Sequence, residues 1–124
     1  MIERMISLTD LSTMKMFEVP HKTIQFLHYQ PAKRGVTFGN EVKDGFLPGT
    51  LKYWSEVIME TGLIELIEVD RNNFINPGKV ELLDPKYRKA YFDFNRTKVC
   101  TMSSVKYKQL LELLHLLGVK YKTV

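Results

Sequence analysis

A chain of 124 residues with 44% apolar and 26% charged residues and a formal charge of +4 is composed for one folded domain around one continuous core, which excludes a disordered or low-complexity protein. No run approaches the roughly 20 apolar residues that span a bilayer, and Glu3 and Arg4 stand where a secretory leader needs its apolar run, so a cytoplasmic protein is expected. The single cysteine, Cys100, excludes an internal disulfide and a thiolate metal cluster, as in a reducing compartment.

In chain order, the first expected element is a helix over 9–17, where Thr9 or Asp10 can cap and Leu11, Met14 and Phe17 share one face. Pro20 permits a fresh start, and Ile24, Leu27 and His28 recur at helical spacing until Gln30-Pro31 ends the run. After Gly45 and the Pro48-Gly49 pair, residues Leu51, Trp54, Val57, Ile58 and Thr61 form one stripe of a further helix, closed by Gly62. The stretch 64–69 then alternates as a strand, a turn-rich loop runs from Asp70 to Gly78, and 79–83 returns as its partner strand.

Beyond Asp84-Pro85, Lys86, Arg88, Lys89, Arg96 and Lys98 are interleaved with Tyr87, Tyr91, Phe92 and Phe94. These aromatics either complete the core or stack on unpaired bases. A last helix over 104–117, capped by Ser103 or Ser104 and stopped by Gly118, carries more leucines than one core face needs. The surplus docks either on the chain's own first helices or on a second copy, giving a homodimer.

Short helix, glycine turn, longer helix and hairpin, in that order, resemble the winged helix-turn-helix DNA-binding domains of prokaryotic and phage regulators and replication initiators. The resemblance covers residues 20–83. It rests on Gly45 and Gly62, on Thr50 at the family's habitual threonine position, and on Glu60-Thr61-Gly62-Leu63-Ile64-Glu65 as the helix exit into the wing. It implies an α+β fold, a winged-helix core followed by a basic C-terminal strand or loop and the final amphipathic helix, within one domain over 1–124. It also implies that the start of the second helix reaches into the major groove of duplex DNA.

On that reading Thr50, Lys52 and Tyr53 meet the DNA, the wing tip adds Arg71, Asn72 and Asn73, and Lys79 joins them. Lys86, Arg88, Lys89, Arg96 and Lys98 extend the contact. The charge count agrees: residues 1–83 hold 9 Lys and Arg against 11 Asp and Glu, whereas 84–124 hold 9 against 3, and a basic stripe is the footprint of a phosphate-bearing partner.

Catalysis finds no support. His21, His28 and His115 lack the spacing of a metal set, Cys100 lacks an activating base, and the segment 45–49 lacks the lysine and hydroxyl of a phosphate loop. No cofactor is expected. The expectation is therefore a DNA-binding regulator or replication accessory protein of phage, plasmid or prokaryotic type. The alternatives are an inhibitor or adaptor that binds a host protein on the same scaffold, and a single-stranded RNA-binding repressor.

Overall fold

Met5 to Asp10 buries alternate residues, with Ile6, Leu8 and Asp10 inward and Ser7 and Thr9 outward, which is the period of a strand and not of a helix. The structure is a computed structural model that describes residues 4–62 and 64–124. Glu3, read above against a leader, and Leu63 of the helix-exit motif lie outside the described residues. The expected helix over 9–17 is instead the hairpin of β1 (Met5–Asp10) and β2 (Lys15–Pro20), and Met14 of its supposed apolar face stands in the turn at φ 59°.

The helix expected from Pro20 is likewise a strand. A short 3-10 turn (His21–Thr23) leads into β3 (Ile24–Gln30), whose register shifts by a bulge between Ile24 and Phe26. The extra residue of a bulge puts positions three apart on one face. Ile24 and Leu27 are thus both fully buried on one side, and their helical spacing is a product of the bulge.

A second 3-10 turn (Pro31–Lys33) joins β3 to β4 (Gly35–Asn40), followed by β5 (Gly45–Pro48). Gly45, read as the turn glycine of a helix-turn-helix, lies inside β5, where a Cβ would overlap Leu8. The helix after it is present as α1 (Leu51–Glu60). Leu51, Ser55 and Ile58 are buried in it, and Gly62 follows at φ 69°.

The hairpin after α1 forms with a different partner. β6 (Ile67–Asp70) pairs β7 (Asn73–Ile75), while β8 (Leu82–Asp84) belongs to another sheet. The reason lies in Asp70. Its carboxylate accepts from Asn72 N at 2.8 Å and from Asn73 Nδ2 at 2.9 Å, closing the turn at once instead of opening a long loop.

Two sheets result. The first has the order β2-β1-β5-β4-β3-β7-β6, and the second joins β8 to β9 (Lys89–Tyr91), β10 (Val99–Thr101) and β11 (Lys122–Thr123) in the order β10-β9-β8-β11. One face of the first sheet packs with α1 around Leu8, Val19, Leu27, Val36, Phe38 and Ile58. The second sheet and α2 (Ser104–Leu117) enclose another core, with Ile75, Leu83, Phe92, Leu110 and Leu114 and with Phe26 of β3 packed against it. The expected last helix is present as α2, with Gly118 at φ 67°. The winged helix-turn-helix core is not: the described residues hold two α-helices and eleven strands, and no helix precedes α1 to form the motif. No helix among the described residues is long and apolar enough to cross a membrane.

Candidate nucleic-acid interface

Strand directions gather the scattered bases. β3 runs toward Gln30 and hands over to β4 through the turn at 31–34, which carries Lys33 and Arg34. At the same end Pro48 of β5 pairs Gly35, and Gly49 N donates to the Arg34 carbonyl at 3.2 Å, so α1 begins beside this turn. β7 is antiparallel to β3 with Asn73 opposite His28, and Tyr29 N donates to the Asn72 carbonyl at 2.8 Å. Arg71 and Asn72 therefore stand at that end too. A hollow of about 470 Å³ lined by Tyr29, Pro31, Thr50, Leu51, Arg71 and Asn72 opens between these three elements.

The second sheet aligns with the first. Lys98, just before β10, reaches Gln25 and Asn40 at the far end of β3 and β4, whereas Cys100 and Thr101 line a cleft with His28 and Asn73. β10 thus runs alongside β3 in the same direction, and Thr101 pairs Lys89. It follows that the β8–β9 turn, with Lys86, Tyr87 and Arg88, and the start of α2, with Lys106, reach the same end as the 31–34 and 71–72 turns.

Of the sequence-predicted contacts, Thr50, Lys52, Tyr53, Arg71, Asn72, Asn73, Lys86, Arg88 and Lys89 come together at this turn end. Thr50 is the N-cap of α1, its hydroxyl accepting from Tyr53 N at 3.1 Å, which is a structural duty rather than that of a groove-reading threonine. Tyr53 and Tyr87 are 57% and 56% exposed, so both rings are available to a partner. The ammonium groups of Lys86 and Lys89 lie over the Tyr87 ring at 5.3 and 5.8 Å from its centroid. Arg88 donates from Nε to the Met102 carbonyl at 3.2 Å. Among the described residues, Lys33, Arg34, Lys52, Arg71, Lys86, Arg88 and Lys89 form no ion pair. Asp70 and Asp84, the carboxylates flanking two of these turns, are hydrogen-bonded to backbone N–H groups of the turns.

Lys79, Arg96 and Lys98 are placed at the opposite end. Lys79 pairs Glu41, and Arg96 is exposed on the loop between β9 and β10. Lys98 Nζ is held by Asp44 Oδ1 at 2.9 Å, Gln25 Oε1 at 3.0 Å and the Asn40 carbonyl at 2.6 Å. Lys43 pairs Asp10 there as well, and the hydrogen bond from Lys43 holds the Asp10 carboxyl well below its ordinary value. The charge asymmetry read along the sequence does not map onto the fold, since Arg96 and Lys98 of the basic half stand at the opposite end while Lys33, Arg34, Lys52 and Arg71 of the other half stand at the basic end; Lys33, Arg34 and Lys106 belong to that end although sequence reasoning left them out. For Lys33 and Arg34 the signal was the Pro-Ala-Lys-Arg-Gly run itself, a turn whose bases are exposed once its flanks are known to be strands.

The aromatic-basic segment is divided. Tyr87 stands at the turn end, Phe92 is buried against Phe26 with ring centroids 5.5 Å apart, and Phe94 lies under Lys122 at the opposite end. The three histidines sit on separate elements, and no group of three or more His, Cys, Asp or Glu among the described residues could hold a metal ion. Burial pushes the Cys100 thiol up to about 12.

No protein-family model and no curated protein matches the chain. Among solved structures it is similar to the LytTr DNA-binding domain of a Bacillus cereus methyl-accepting/DNA response regulator, with 14% identity, 92% of this chain and 96% of that chain covered, and a TM-score of 0.62. That likeness is one of fold, and it replaces the winged helix-turn-helix resemblance with a β-rich architecture of two sheets.

Proposed function

We propose that the chain is a DNA-binding regulator that meets duplex DNA with its turn end. The observation that carries this reading is the convergence of Lys33, Arg34, Lys52, Arg71, Lys86, Arg88 and Lys89, none of them ion-paired among the described residues, while carboxylates pair Lys43, Lys79 and Lys98 at the other end. Likeness of fold to a response regulator's DNA-binding domain supports it, and favours transcriptional regulation over a replication accessory role. Both helices also start at the basic end, where their unpaired N–H groups add positive potential. Phosphates meet Lys33, Lys52, Lys86 and Lys89. Arg34, Arg71, Arg88 and Asn72, on tight turns that project from the sheets, are shaped to reach base edges.

Fluorescence anisotropy with a labelled duplex tests the reading. Affinity falls steeply with salt, since each neutralised phosphate contributes about −0.9 to the slope of log K against log salt concentration. Replacing Lys33, Lys52, Lys86 and Lys89 by alanine together weakens binding at least about tenfold and flattens the slope by about 3 to 4. The same change at Lys79 and Arg96 leaves both unaltered. Equal loss from the two sets, or no binding in low salt, refutes the assignment.

A further inference from the structure

The turn that carries Arg71 and Asn72 is held from across the sheet by a chain of side chains with only one possible polarity. Asn73 Nδ2 lies 2.9 and 3.0 Å from the two oxygens of Asp70. A carboxylate only accepts, so the Asn73 atom facing it is the amide nitrogen and the other, Oδ1, is an acceptor as well. Oδ1 stands 2.8 Å from His28 Nδ1, on the neighbouring strand directly opposite Asn73. Nδ1 must therefore carry a proton, and in the neutral ring Nε2 does not.

We infer that His28 is a positioning residue for the Arg71–Asn72 turn, acting through Nδ1–H, Asn73 and Asp70; this rests on the assignment of that turn to DNA. Asp70 is the hub. Its Oδ1 accepts from Asn72 N at 2.8 Å as well as from the Asn73 amide, so the carboxylate that shapes the tip is oriented by the residue that His28 orients. Without the His28 proton Asn73 is free to rotate, Asp70 loses its second tether, and the loop that bears Arg71 is left with the bonds from Asn72 N to Asp70 Oδ1 and from Tyr29 N to the Asn72 carbonyl. His28 itself contacts neither Arg71 nor Asn72 in this chain of bonds, so its effect on a partner is indirect.

Two measurements test this. First, 15N spectra of the free protein above neutral pH report the tautomer: Nδ1–H is expected for His28, the reverse of what imidazole prefers in water, and an Nε2–H tautomer overturns the inference whatever the DNA result. Second, three substitutions separate the two ring nitrogens. The amide nitrogen of asparagine sits as many bonds from Cα as Nδ1, and that of glutamine as many as Nε2. DNA affinity is expected within about twofold of the parent for His28→Asn, and about tenfold weaker for His28→Gln and His28→Phe, the scale of one hydrogen bond. Melting curves confirm that each variant is folded. Retention by His28→Gln with loss by His28→Asn assigns a direct Nε2 contact and overturns the positioning role, as do three variants that bind alike. If the parent protein itself binds no DNA, the proposed function fails and the positioning role fails with it, whereas failure confined to the variants leaves the proposed function standing.

Discussion

Lys98 was read from sequence as a DNA contact, and the structure makes it a pin between the two sheets, so its removal should show in stability before binding. Replacing Lys98 by methionine keeps the apolar stem and removes only the ammonium. Two acceptors then lose their donor: Oε1 of Gln25, a residue 6% exposed, and the carbonyl of Asn40, which is fully buried. Each orphaned buried acceptor costs about 1–3 kcal/mol. Asp44, 39% exposed, is rehydrated and adds little. Gln25 keeps its bond from Nε2 to the Phe92 carbonyl at 3.2 Å, which limits the damage. The expected loss is about 2–4 kcal/mol, a large part of the roughly 5–15 kcal/mol by which domains are stable. At roughly 3–5 °C per kcal/mol for this size, the melting midpoint falls by roughly 6–20 °C. Urea titration and calorimetry measure it, in low and in high salt. A loss below about 0.5 kcal/mol, or one that salt abolishes as it would a screened surface pair, refutes the pin. Affinity for DNA of the folded fraction stays unchanged.

Three further outcomes are expected. His21 is buried with Nδ1 unpartnered, and burial followed by the Arg4 charge lowers its pKa from the ordinary 6.5. A folded-state pKa below the unfolded one means that stability is full above about pH 6.5 and is lost as pH falls through the folded value; urea midpoints should drop on acidification through that range, and less so in His21→Gln. Gly39 lies under the Phe26 ring, where a Cβ would overlap it, so Gly39→Ala should cost about 1–3 kcal/mol in urea unfolding, and a neutral result would mean that the ring moves aside freely. Cys100, buried and with its thiol pushed up to about 12, should react with a thiol reagent only as fast as the protein opens. Rapid labelling of native protein would contradict its placement in the core.

Local patterns in the chain held where a single segment contains its own explanation. The stripe from Leu51, the stop at Gly62, and the last helix between Ser103 and Gly118 need only their own caps and periodicity, and all three appear in the structure. The first 30 residues misled because strand and helix periods overlap when strands are short: a hairpin turn at Met14 and a bulge after Ile24 reproduced helical spacing in residues that alternate between two faces. Long-range pairing settled those segments, with β3 lying between β4 and β7. The same holds for the candidate interface. Nine of the twelve residues named from the sequence stand together at the turn end, yet whether a lysine is free or consumed depends on what the topology sets beside it. Lys98 and Arg88 are ten positions apart and alike in the sequence; one ends among Gln25, Asn40 and Asp44, the other on an outward turn beside Tyr87. Composition supplies the charge, and strand order distributes it, because a charge's energy depends on neighbours within a few ångströms, and those neighbours lie dozens of residues away along the chain.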